Sequence, residues 1–272
     1  MKSAVVIVNW NSGRRLTGCL QSLPATPEPV VVVDNASADD SLQMAKDCGR
    51  SASFIENTSN RGFAAAVNQG FAATSASYVL VLNPDIRVIP GSTEILERVL
   101  DEHSRAGAVG GYVNEKYLPR PLATPWTVVR ENLGIPVGTL NAQEVGQTAA
   151  AALLVRREAY SAAHGFDERF FPAWYEDVDF CRSLRAKGWD VRFAREAEFV
   201  HEGGYSARTL GSSDFAAAYY RNQLRYINKH FGPAAGLAVR LSIVAGMAAR
   251  LVVRPSRAAA SSRVIAGALG GW

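Results

Sequence analysis

The sequence predicts an α/β fold in which a mixed, mainly parallel sheet is flanked by helices. Short runs rich in valine and isoleucine recur along the first half of the chain, and stretches with helical periodicity separate them. Strands connected through helices in this way lie parallel in one sheet. The predicted strands are 4–8, 30–33, 53–55, 78–82 and 108–113, and the predicted helices between them are 14–23, 41–48, 63–74 and 92–102.

The composition is that of an ordinary globular protein. The chain has 272 residues, of which 48% are hydrophobic and 20% charged, so it can form one large domain or one domain with an appendage. The three cysteines lie far apart and show no metal or disulfide spacing, which favours reduced thiols in a cytoplasmic protein. The chain runs from Met1 almost directly into the first strand, and we expect no signal peptide.

Positive charge is concentrated in the tail, which we define as residues 215–272. The net charge of the chain is +4, but the tail holds eight Arg or Lys residues and no Asp or Glu, so the remainder is net −4. The segment 234–253 is apolar enough to resemble a membrane span, although Arg240 and Arg250 interrupt it. Between 234 and 263 the tail could lie on an anionic membrane surface. Alternatively, it packs on the rest of the protein or on a second subunit of a homo-oligomer. We expect no nucleic-acid partner.

Polar side chains follow the predicted strands, at the edge where parallel sheets bind ligands. After the fourth strand, Asp85 could hold a divalent cation together with phosphate oxygens, or belong to a turn without a ligand. After the second strand, Asp34 could accept hydrogen bonds from a nucleoside, or cap the following helix. Arg61 and the helix that starts after Gly62 could face a diphosphate; an exposed arginine beside a turn glycine is the alternative.

Two common nucleotide-binding loops are missing from the sequence. No Gly-x-Gly-x-x-Gly motif follows the first strand, and no phosphate loop that ends in Gly-Lys-Ser/Thr occurs in the chain. The two absences disfavour a dinucleotide dehydrogenase or a P-loop enzyme. The stretch 114–146 contains four prolines and is predicted to be an irregular loop region over one face of the sheet.

Three carboxylates, Glu176, Asp177 and Asp179, fall within four positions and are surrounded by aromatic residues. Ionised carboxylates resist desolvation, so their combination with rings is typical of a pocket wall. Acids also favour the first turn of a helix, and a helix is predicted to begin near Glu176. Both interpretations can hold, with the helix start presenting Asp177 to a ligand. His201, taken alone, is more often a structural residue than a ligand.

These pieces form a series in a fixed order, namely 6–11, 32–37, 60–63 with Asn68, 82–85, 165–168, 176–177 and His201. The series resembles the inverting family 2 glycosyltransferases with the GT-A fold, and most closely their rhamnosyltransferase-like branch. The resemblance covers about residues 4–210. It implies a GT-A catalytic domain at 1–214, with a nucleotide-binding half to about 113 and an acceptor half from about 114, followed by a basic amphipathic helical tail at 215–272.

The resemblance also implies roles for individual residues. Asp85 would hold Mn²⁺ or Mg²⁺ on the donor diphosphate, and His201 would complete the metal site. Asn83 departs from the first position of the family's Asp-x-Asp motif and makes the site less anionic. Asp177 would be the catalytic base, with Glu176 as its supporting neighbour. Acceptor contacts are expected from Trp174 and Tyr175, and donor nucleotide contacts from Val8, Asn9, Trp10, Asn11, Asp34, Asn35, Arg61, Gly62, Asn68, Asn83, Pro84 and Asp85.

The function implied by the resemblance is transfer of a sugar, such as rhamnose, from a dTDP- or UDP-linked donor to a lipid-linked or polysaccharide acceptor. Inverting transfer needs a base that takes the proton of the attacking hydroxyl. The reaction would serve cell-surface glycan synthesis at the inner face of the plasma membrane. A catalytically inactive nucleotide- or glycan-binding subunit of a membrane assembly is one alternative. A nucleotidyltransferase is another, but the phosphate-binding loop that it needs after the first strand is not seen.

Overall fold

Eight strands form one sheet in the computed structural model, which describes residues 2–24, 29–140, 144–202, 212–253, 256 and 258–272. The strands are β1 (Ser3–Asn9), β2 (Val30–Asp34), β3 (Ser53–Glu56), β4 (Tyr78–Leu82), β5 (Ile86–Val88), β6 (Ala106–Tyr112), β7 (Ala152–Arg156) and β8 (Asp190–His201). Their order across the sheet is β3-β2-β1-β4-β7-β6-β8-β5. The pairs among β1 to β4 are parallel, β7 is antiparallel to β4 and β6, and β6 and β8 are parallel. The predicted mixed sheet is confirmed.

Helices cover both faces of the sheet and continue into the tail. They are α1 (Arg15–Ser22), α2 (Ser41–Lys46), α3 (Phe63–Ala72), α4 (Ser92–Glu102), α5 (Pro125–Asn132), α6 (Arg157–Ala162), α7 (Glu176–Ala186), α8 (Ser212–Val253) and α9 (Ala258–Gly270). The helices predicted in the first half of the chain are present, with slightly different ends. The helix expected near Glu176 begins at that residue.

One helix, α5, lies within the stretch 114–146, for which the prolines predict irregular structure. Thr124 caps this helix: its side chain accepts from the backbone N–H of Thr127, and the Thr127 side chain accepts from the backbone N–H of Thr124. Pro125 occupies the first helical position, where a missing N–H costs nothing. The prediction of an irregular loop is therefore wrong for 125–132, because this proline starts a helix instead of interrupting one.

Alternate side chains of the central strands enter two cores on opposite faces of the sheet. Val5 and Ile7 of β1 pack with α1 and α4 on one face, whereas Val6 and Val8 pack with α3 and α7 on the other. All four side chains are buried, as expected for strands with helices on both sides. The helices cover the faces of the sheet, so the carboxyl ends of the strands are where ligands can approach.

A third core joins the tail to the rest of the protein. Helix α8 breaks at Gly232, whose φ of 81° is outside the helical range, and Pro233 follows the break. Both parts of α8 contribute to this core, so packing of the tail on the rest of the chain is one sequence interpretation that the structure confirms. The buried residues of the core are Ala123, Val128, Phe170, Tyr175, Tyr220, Leu224, Tyr226, Ile227, Val239, Ile243, Met247, Val264 and Ala268.

Helix α3 packs so closely on β1 that position 70 needs a glycine. A Cβ atom at Gly70 would lie 2.3 Å from Cγ1 and 2.8 Å from Cγ2 of Val6. Val6 is fully buried in the middle of the sheet, where a close-packed interior leaves it little room to move. This contact sets the distance between α3, whose first turn lies beside the strand ends, and the sheet.

We expect Gly70→Ala to lower the free energy of unfolding by about 1–3 kcal/mol, because the added methyl group overpacks the contact with Val6. The better helix propensity of alanine offsets roughly 0.5–1 kcal/mol of that cost. Gly138→Ala is the matched control, since no atom lies within 4 Å of its added Cβ. Urea unfolding of both variants measures the difference, and equal stabilities would contradict the tight contact.

Candidate active site

The side chain of Asn9 ties together the loops that follow β1 and β2. Its amide nitrogen donates to Asp34 Oδ1 at 2.7 Å, to Ser41 Oγ at 2.9 Å and to Ser37 Oγ at 3.1 Å. Its amide oxygen accepts from the Ser12 hydroxyl. Asn9 is fully buried and Asp34 nearly so, and the network uses most of the bonding capacity of Asn9. We therefore assign Asn9 to shaping this edge of the sheet. Asp34 also accepts from the N–H of Ser37 at 3.0 Å and from its hydroxyl at 2.6 Å, and its contact with a nucleoside stays a prediction.

Other residues predicted to contact the donor nucleotide lie at the same edge of the sheet. Trp10 and Asn11 are partly exposed, and Asn11 Oδ1 accepts from the backbone of Ala38 at 2.7 Å. Asn35 donates to the carbonyl of Gly62 at 3.1 Å, which links β2 to the start of α3. The Val8 side chain, by contrast, belongs to the hydrophobic core. Its predicted contact with the donor can therefore involve only its backbone.

Position 62 favours glycine for two reasons, its backbone conformation and the lack of space for a side chain. Its φ is 87°, which disfavours side chains, and a Cβ there would lie 3.0 Å from Phe171 Cδ2 and 3.1 Å from the carbonyl oxygen of Pro172. The N–H of Phe63 donates to that same carbonyl at 2.7 Å. The first turn of α3 is therefore fixed to the segment before α7, and Arg61 remains exposed beside it.

Asn68 has a different place from the one predicted. Its Oδ1 accepts from the Tyr160 hydroxyl at 2.9 Å and from the N–H of Phe166 at 3.0 Å. Its Nδ2 donates to the Phe166 carbonyl at 2.9 Å and to Glu168 at 3.0 Å. Because the whole amide is engaged in fastening α3 to the segment 165–168, we reassign Asn68 from donor contact to support of that segment.

Asp85 and His201 meet where β5 pairs with β8. Asp85 Oδ2 lies 3.4 Å from His201 Nε2, and both side chains are about nine-tenths buried. Two neighbouring ligands of an octahedral cation lie about 3 Å apart when each bond is about 2.1 Å, so the pair fits a divalent metal. Among the described residues, no group of three or more His, Cys, Asp or Glu is placed to hold a metal. Diphosphate and water oxygens would have to fill the other positions, as is usual for Mg²⁺.

Asp177 and Tyr117 line a cavity of about 130 Å³. Its Oδ1 accepts from the N–H of Val178 at 2.8 Å, and its Oδ2 accepts from the N–H of Ala150 at 3.4 Å. Burial raises the pKa of Asp177 above its ordinary value, which favours the protonated acid. The cavity is lined by Lys116, Tyr117, Leu118, Arg120, Gln147, Thr148, Ala149, Asp177 and Val178.

Tyr117 connects the metal pair with Asp177. Its ring centroid lies 5.1 Å from that of His201. Tyr117 also lines the cavity that Asp177 faces. Burial raises the pKa of Tyr117, and the charges of Asp85 and Asp177 raise it further. The alanine run after Thr148 makes a second connection, because the carbonyl of Ala151 accepts from the N–H of Asn83 at 3.0 Å. The structure thus brings Asp85, His201 and Asp177 together at one edge.

The other two acids near Asp177 have different surroundings. Burial raises the pKa of Glu176 well above 4.5, and the charges of Asp177 and Asp179 raise it further. Its Oε2 is buried without a hydrogen-bond partner among the described residues. Asp179 instead contacts Lys229 at 2.7 Å and His230 at 2.6 Å. Asp179 therefore joins α7 to the tail, while Glu176 favours its neutral form.

The two residues before α7 have left-handed backbones, which are costly for side chains other than glycine. Trp174 has a φ of 74° and Tyr175 a φ of 73°. The buried amide of Asn222 donates to the carbonyls of Ala173 at 2.8 Å, Trp174 at 3.1 Å and Phe171 at 3.3 Å. The tail thus holds the strained segment from which Asp177 is presented.

The structure corrects one of the two predicted acceptor contacts. Tyr175 is only 6% exposed, and its ring packs between Tyr219 and Tyr226 at centroid distances of 5.4 and 5.6 Å. Its hydroxyl accepts from Gln223 at 2.9 Å. A ring enclosed in this way cannot also contact an acceptor. Trp174 is partly exposed and makes an edge contact with Phe215, and its acceptor role stays a prediction.

Several residues of the site were not predictable from local patterns. Tyr117, Arg120 and Gln147 line the cavity, but they lie in and beside a proline-rich stretch without a motif. Asn222 and Gln223 offered one signal: two adjacent amides interrupt a mostly apolar helical stretch. A buried amide needs partners, so such a pair predicts a contact with another segment.

We expect Glu176→Gln to make the protein more stable than wild type near pH 8 but not near pH 4. The folded protein binds the Glu176 proton more tightly than the unfolded chain, so Glu176 supports folding below about pH 4.5 and costs stability as the pH rises above it. Glutamine stays neutral throughout. Urea unfolding at both pH values measures the effect, with the exposed Glu102→Gln as control. A difference from wild type that is independent of pH would contradict the raised pKa.

Two known proteins are similar to this chain in sequence. An N-acetylglucosaminyl-diphospho-decaprenol L-rhamnosyltransferase of Mycobacterium tuberculosis is 28% identical over 264 residues, covering 84% of this chain and 85% of that protein. A galactofuranosyl glycosyltransferase of Leishmania donovani is 24% identical over 221 residues, covering 66% of this chain and 50% of that protein.

Two solved structures are similar to the whole fold. The mannosyltransferase PcManGT from Pyrobaculum calidifontis, in complex with GDP-Man and Mn²⁺, has a TM-score of 0.61 at 16% identity, with 98% of this chain and 86% of that chain covered. S. aureus TarS has a TM-score of 0.57 at 15% identity, covering 94% and 45%. The family described as glycosyl transferase family 2 matches residues 4–159, more than half of the sequence. The chain belongs to glycosyl transferase family 2.

Proposed function

We propose that this glycosyltransferase moves a sugar, with rhamnose as the first candidate, from a nucleotide-diphosphate donor to a lipid-linked acceptor. The observation that carries the proposal is geometric: Asp85 and His201 form a pair, and Tyr117, whose ring lies 5.1 Å from that of His201, lines the cavity that Asp177 faces. The relative from M. tuberculosis supports the choice of sugar and acceptor, since its name gives an L-rhamnosyltransferase acting on a diphospho-decaprenol. We place the reaction in cell-surface glycan synthesis at the inner face of the plasma membrane.

Asp177 is the proposed base. As the acceptor hydroxyl oxygen bonds to the anomeric carbon, the bond from that carbon to the diphosphate breaks on the opposite face, and the hydroxyl proton moves to the Asp177 carboxylate. The raised pKa of Asp177 makes its carboxylate a stronger base than an exposed aspartate. Two backbone N–H groups, from Val178 and Ala150, keep the carboxylate oriented. The cavity beside it has room for an acceptor hydroxyl.

A divalent cation, Mn²⁺ or Mg²⁺, is the proposed cofactor, and it would stabilise the negative charge of the leaving diphosphate. Asp85 and His201 would hold it. Asn83 contributes through its backbone to the turn that positions Asp85, since its N–H donates to Ala151 and its carbonyl accepts from Ile86. Arg61, exposed beside the first turn of α3, is placed to add positive charge.

We retain the division of the chain into functional parts as a proposal. Residues 1–113 would bind the donor, residues 114–214 would bind the acceptor, and 215–272 would form the tail. The polar loops after β1, β2 and β4 support the first assignment, and the cavity beside Asp177 supports the second. We also expect specificity for the sugar and the acceptor to depend on the loop 203–213, of which 203–211 lie outside the described residues.

We expect Asp177→Asn to lower sugar transfer by about 10²–10⁴-fold, because an amide cannot accept the hydroxyl proton. Donor binding should stay unchanged, since Asp177 lies on the acceptor side. The assay is transfer from dTDP-rhamnose to a lipid-linked N-acetylglucosaminyl diphosphate, followed by calorimetry with the nucleotide. Glu102→Gln, which changes an exposed carboxylate on α4, is the control and should keep its turnover. Full turnover of Asp177→Asn would remove Asp177 from this role.

We expect Asp85→Ala and His201→Ala to abolish the Mn²⁺-dependent part of nucleotide diphosphate binding, because each removes one of the two protein ligands. Thermal shift and calorimetry with and without Mn²⁺ measure binding independently of turnover. Glu202→Gln is the control, since this carboxylate follows His201 directly but pairs with Arg87. If either alanine variant responded to Mn²⁺ as wild type does, the metal assignment would be wrong for that residue.

A further inference from the structure

The second part of α8, residues 233–253, presents an apolar surface to solvent. All of its residues are described, and every exposed one is apolar. Among the larger side chains, Leu237 is 57% exposed, Leu241 59%, Val252 83% and Val253 75%. Monomeric soluble proteins rarely expose long continuous apolar surfaces, and those that do use them for binding. The exposed residues are Pro233, Ala234, Leu237, Ala238, Leu241, Ala245, Ala248, Ala249, Val252 and Val253.

The polar side chains of this helix point the other way, into the protein. Arg240 donates to the carbonyls of Ala268 and Trp272, and Arg250 donates to the Tyr220 hydroxyl at 2.7 Å. Ser242 is buried and accepts from Asn132 at 3.0 Å. Surface helices of soluble proteins normally turn apolar residues inward and charged residues outward. The exposed side of this helix shows the reverse.

The helix lies against the protein along its inner side and therefore cannot be surrounded by lipid. Val239 and Ile243 are fully buried and Met247 is 3% exposed. At position 246 a Cβ would lie 2.0 Å from the carbonyl oxygen of Asn132, so the end of α5 crosses α8 in direct contact. Helix α8 as a whole is long and apolar enough to cross a membrane. A third of its most apolar 18-residue stretch, however, is buried in the protein.

We propose that residues 233–253 form a docking face that lies flat on an anionic bilayer, with its leucine and valine side chains among the acyl chains. Its 21 residues extend about 30 Å. The tail contains eight cationic residues and no acid. Lys229 pairs with Asp167 and Asp179 and Arg263 pairs with Asp214, whereas Arg254 and Arg257 follow the face directly in the sequence and complement anionic lipid. A second copy of this chain is the alternative occupant, and the test below distinguishes it. Since Arg240 and Arg250 bond within the protein, burial of apolar side chains supplies most of the attraction.

The proposal goes beyond sugar transfer and does not depend on it. The first part of α8 contacts the segment before α7 through Asn222, whereas the docking face follows the break at Gly232. The first part of α8 therefore supports the segment that presents Asp177, and the second part carries the proposed membrane contact. A chain docked in this way would keep a fixed orientation of the active site relative to the bilayer.

The test is co-sedimentation of the full chain with vesicles of phosphatidylcholine mixed with phosphatidylglycerol, and with vesicles of phosphatidylcholine alone. We expect binding to the mixed vesicles to be tighter. Leu237→Glu and Leu241→Glu should each weaken binding roughly tenfold or more, since each removes a buried leucine and adds a charge. Ile89→Glu is the matched control, because Ile89 is an exposed apolar residue outside the tail, and it should bind as wild type does.

Circular dichroism melting of each variant checks that the fold is retained. Unchanged binding by folded Leu237→Glu and Leu241→Glu would overturn the docking face, and equal binding of wild type to both vesicle types would overturn the anionic preference. Light scattering without lipid provides a further check. A dimer that the leucine variants dissociate, together with no binding to vesicles, would show that a second copy covers the face and would overturn the proposal.

Discussion

The hydrogen bonds from the Asn222 amide hold the backbone on which the proposed base depends. Trp174 and Tyr175 both adopt left-handed conformations, and each costs about 1–2 kcal/mol for a side chain other than glycine. Such a segment persists only where its surroundings stabilise it. Asn222 is fully buried and donates to three carbonyls of this segment, so the strained backbone is fixed from the tail side. The tail is therefore part of the active-site support and not only an appendage.

The surroundings of α7 give its three acids three different properties. Asp179 contacts Lys229 and His230, which join it to the tail. Asp177 accepts from the backbone N–H groups of Val178 and Ala150, which balance part of the cost of its burial. Glu176 Oε2 has no hydrogen-bond partner among the described residues, and burial raises the pKa of Glu176 well above its ordinary value. Three acids that look alike in the sequence thus differ in the structure: Asp179 belongs to an ion pair, Asp177 is the candidate base, and Glu176 favours its neutral form.

Strand ends and polar turns were predictable because both depend on local sequence. The β-branched run before Asp34 and the turn Asn83-Pro84-Asp85 each place a carboxylate at the edge where ligands bind, and the structure has them there. Contacts between distant segments were not predictable in this way. Nothing local to Asn68 indicates that Phe166 and Tyr160 occupy its amide.

The contacts of Tyr175 were also not predictable from local sequence. An aromatic residue next to an acid cluster fits an acceptor pocket and a buried core equally well by composition. The choice is made by Tyr219 and Tyr226, which lie more than forty residues further along the chain. Pairing of β5 with β8 likewise brings His201 to Asp85 across more than a hundred residues. The resemblance to the family predicts that Asp85 and His201 lie together, whereas hydrophobic periodicity does not.

A polar network connects the proposed docking face with the cavity beside Asp177. Gln223 donates to the Tyr175 hydroxyl and accepts from Asn132, and Asn132 also donates to Ser242 inside the helix that carries the docking face. Glu131, the residue before Asn132 on α5, pairs with Arg120, and Arg120 lines the cavity beside Asp177. Buried networks of this kind are rigid when every member is satisfied. Under the proposed function, a lipid-linked acceptor would have its reactive group near the bilayer surface, and a rigid link from the docking face to the cavity would limit where that group meets Asp177.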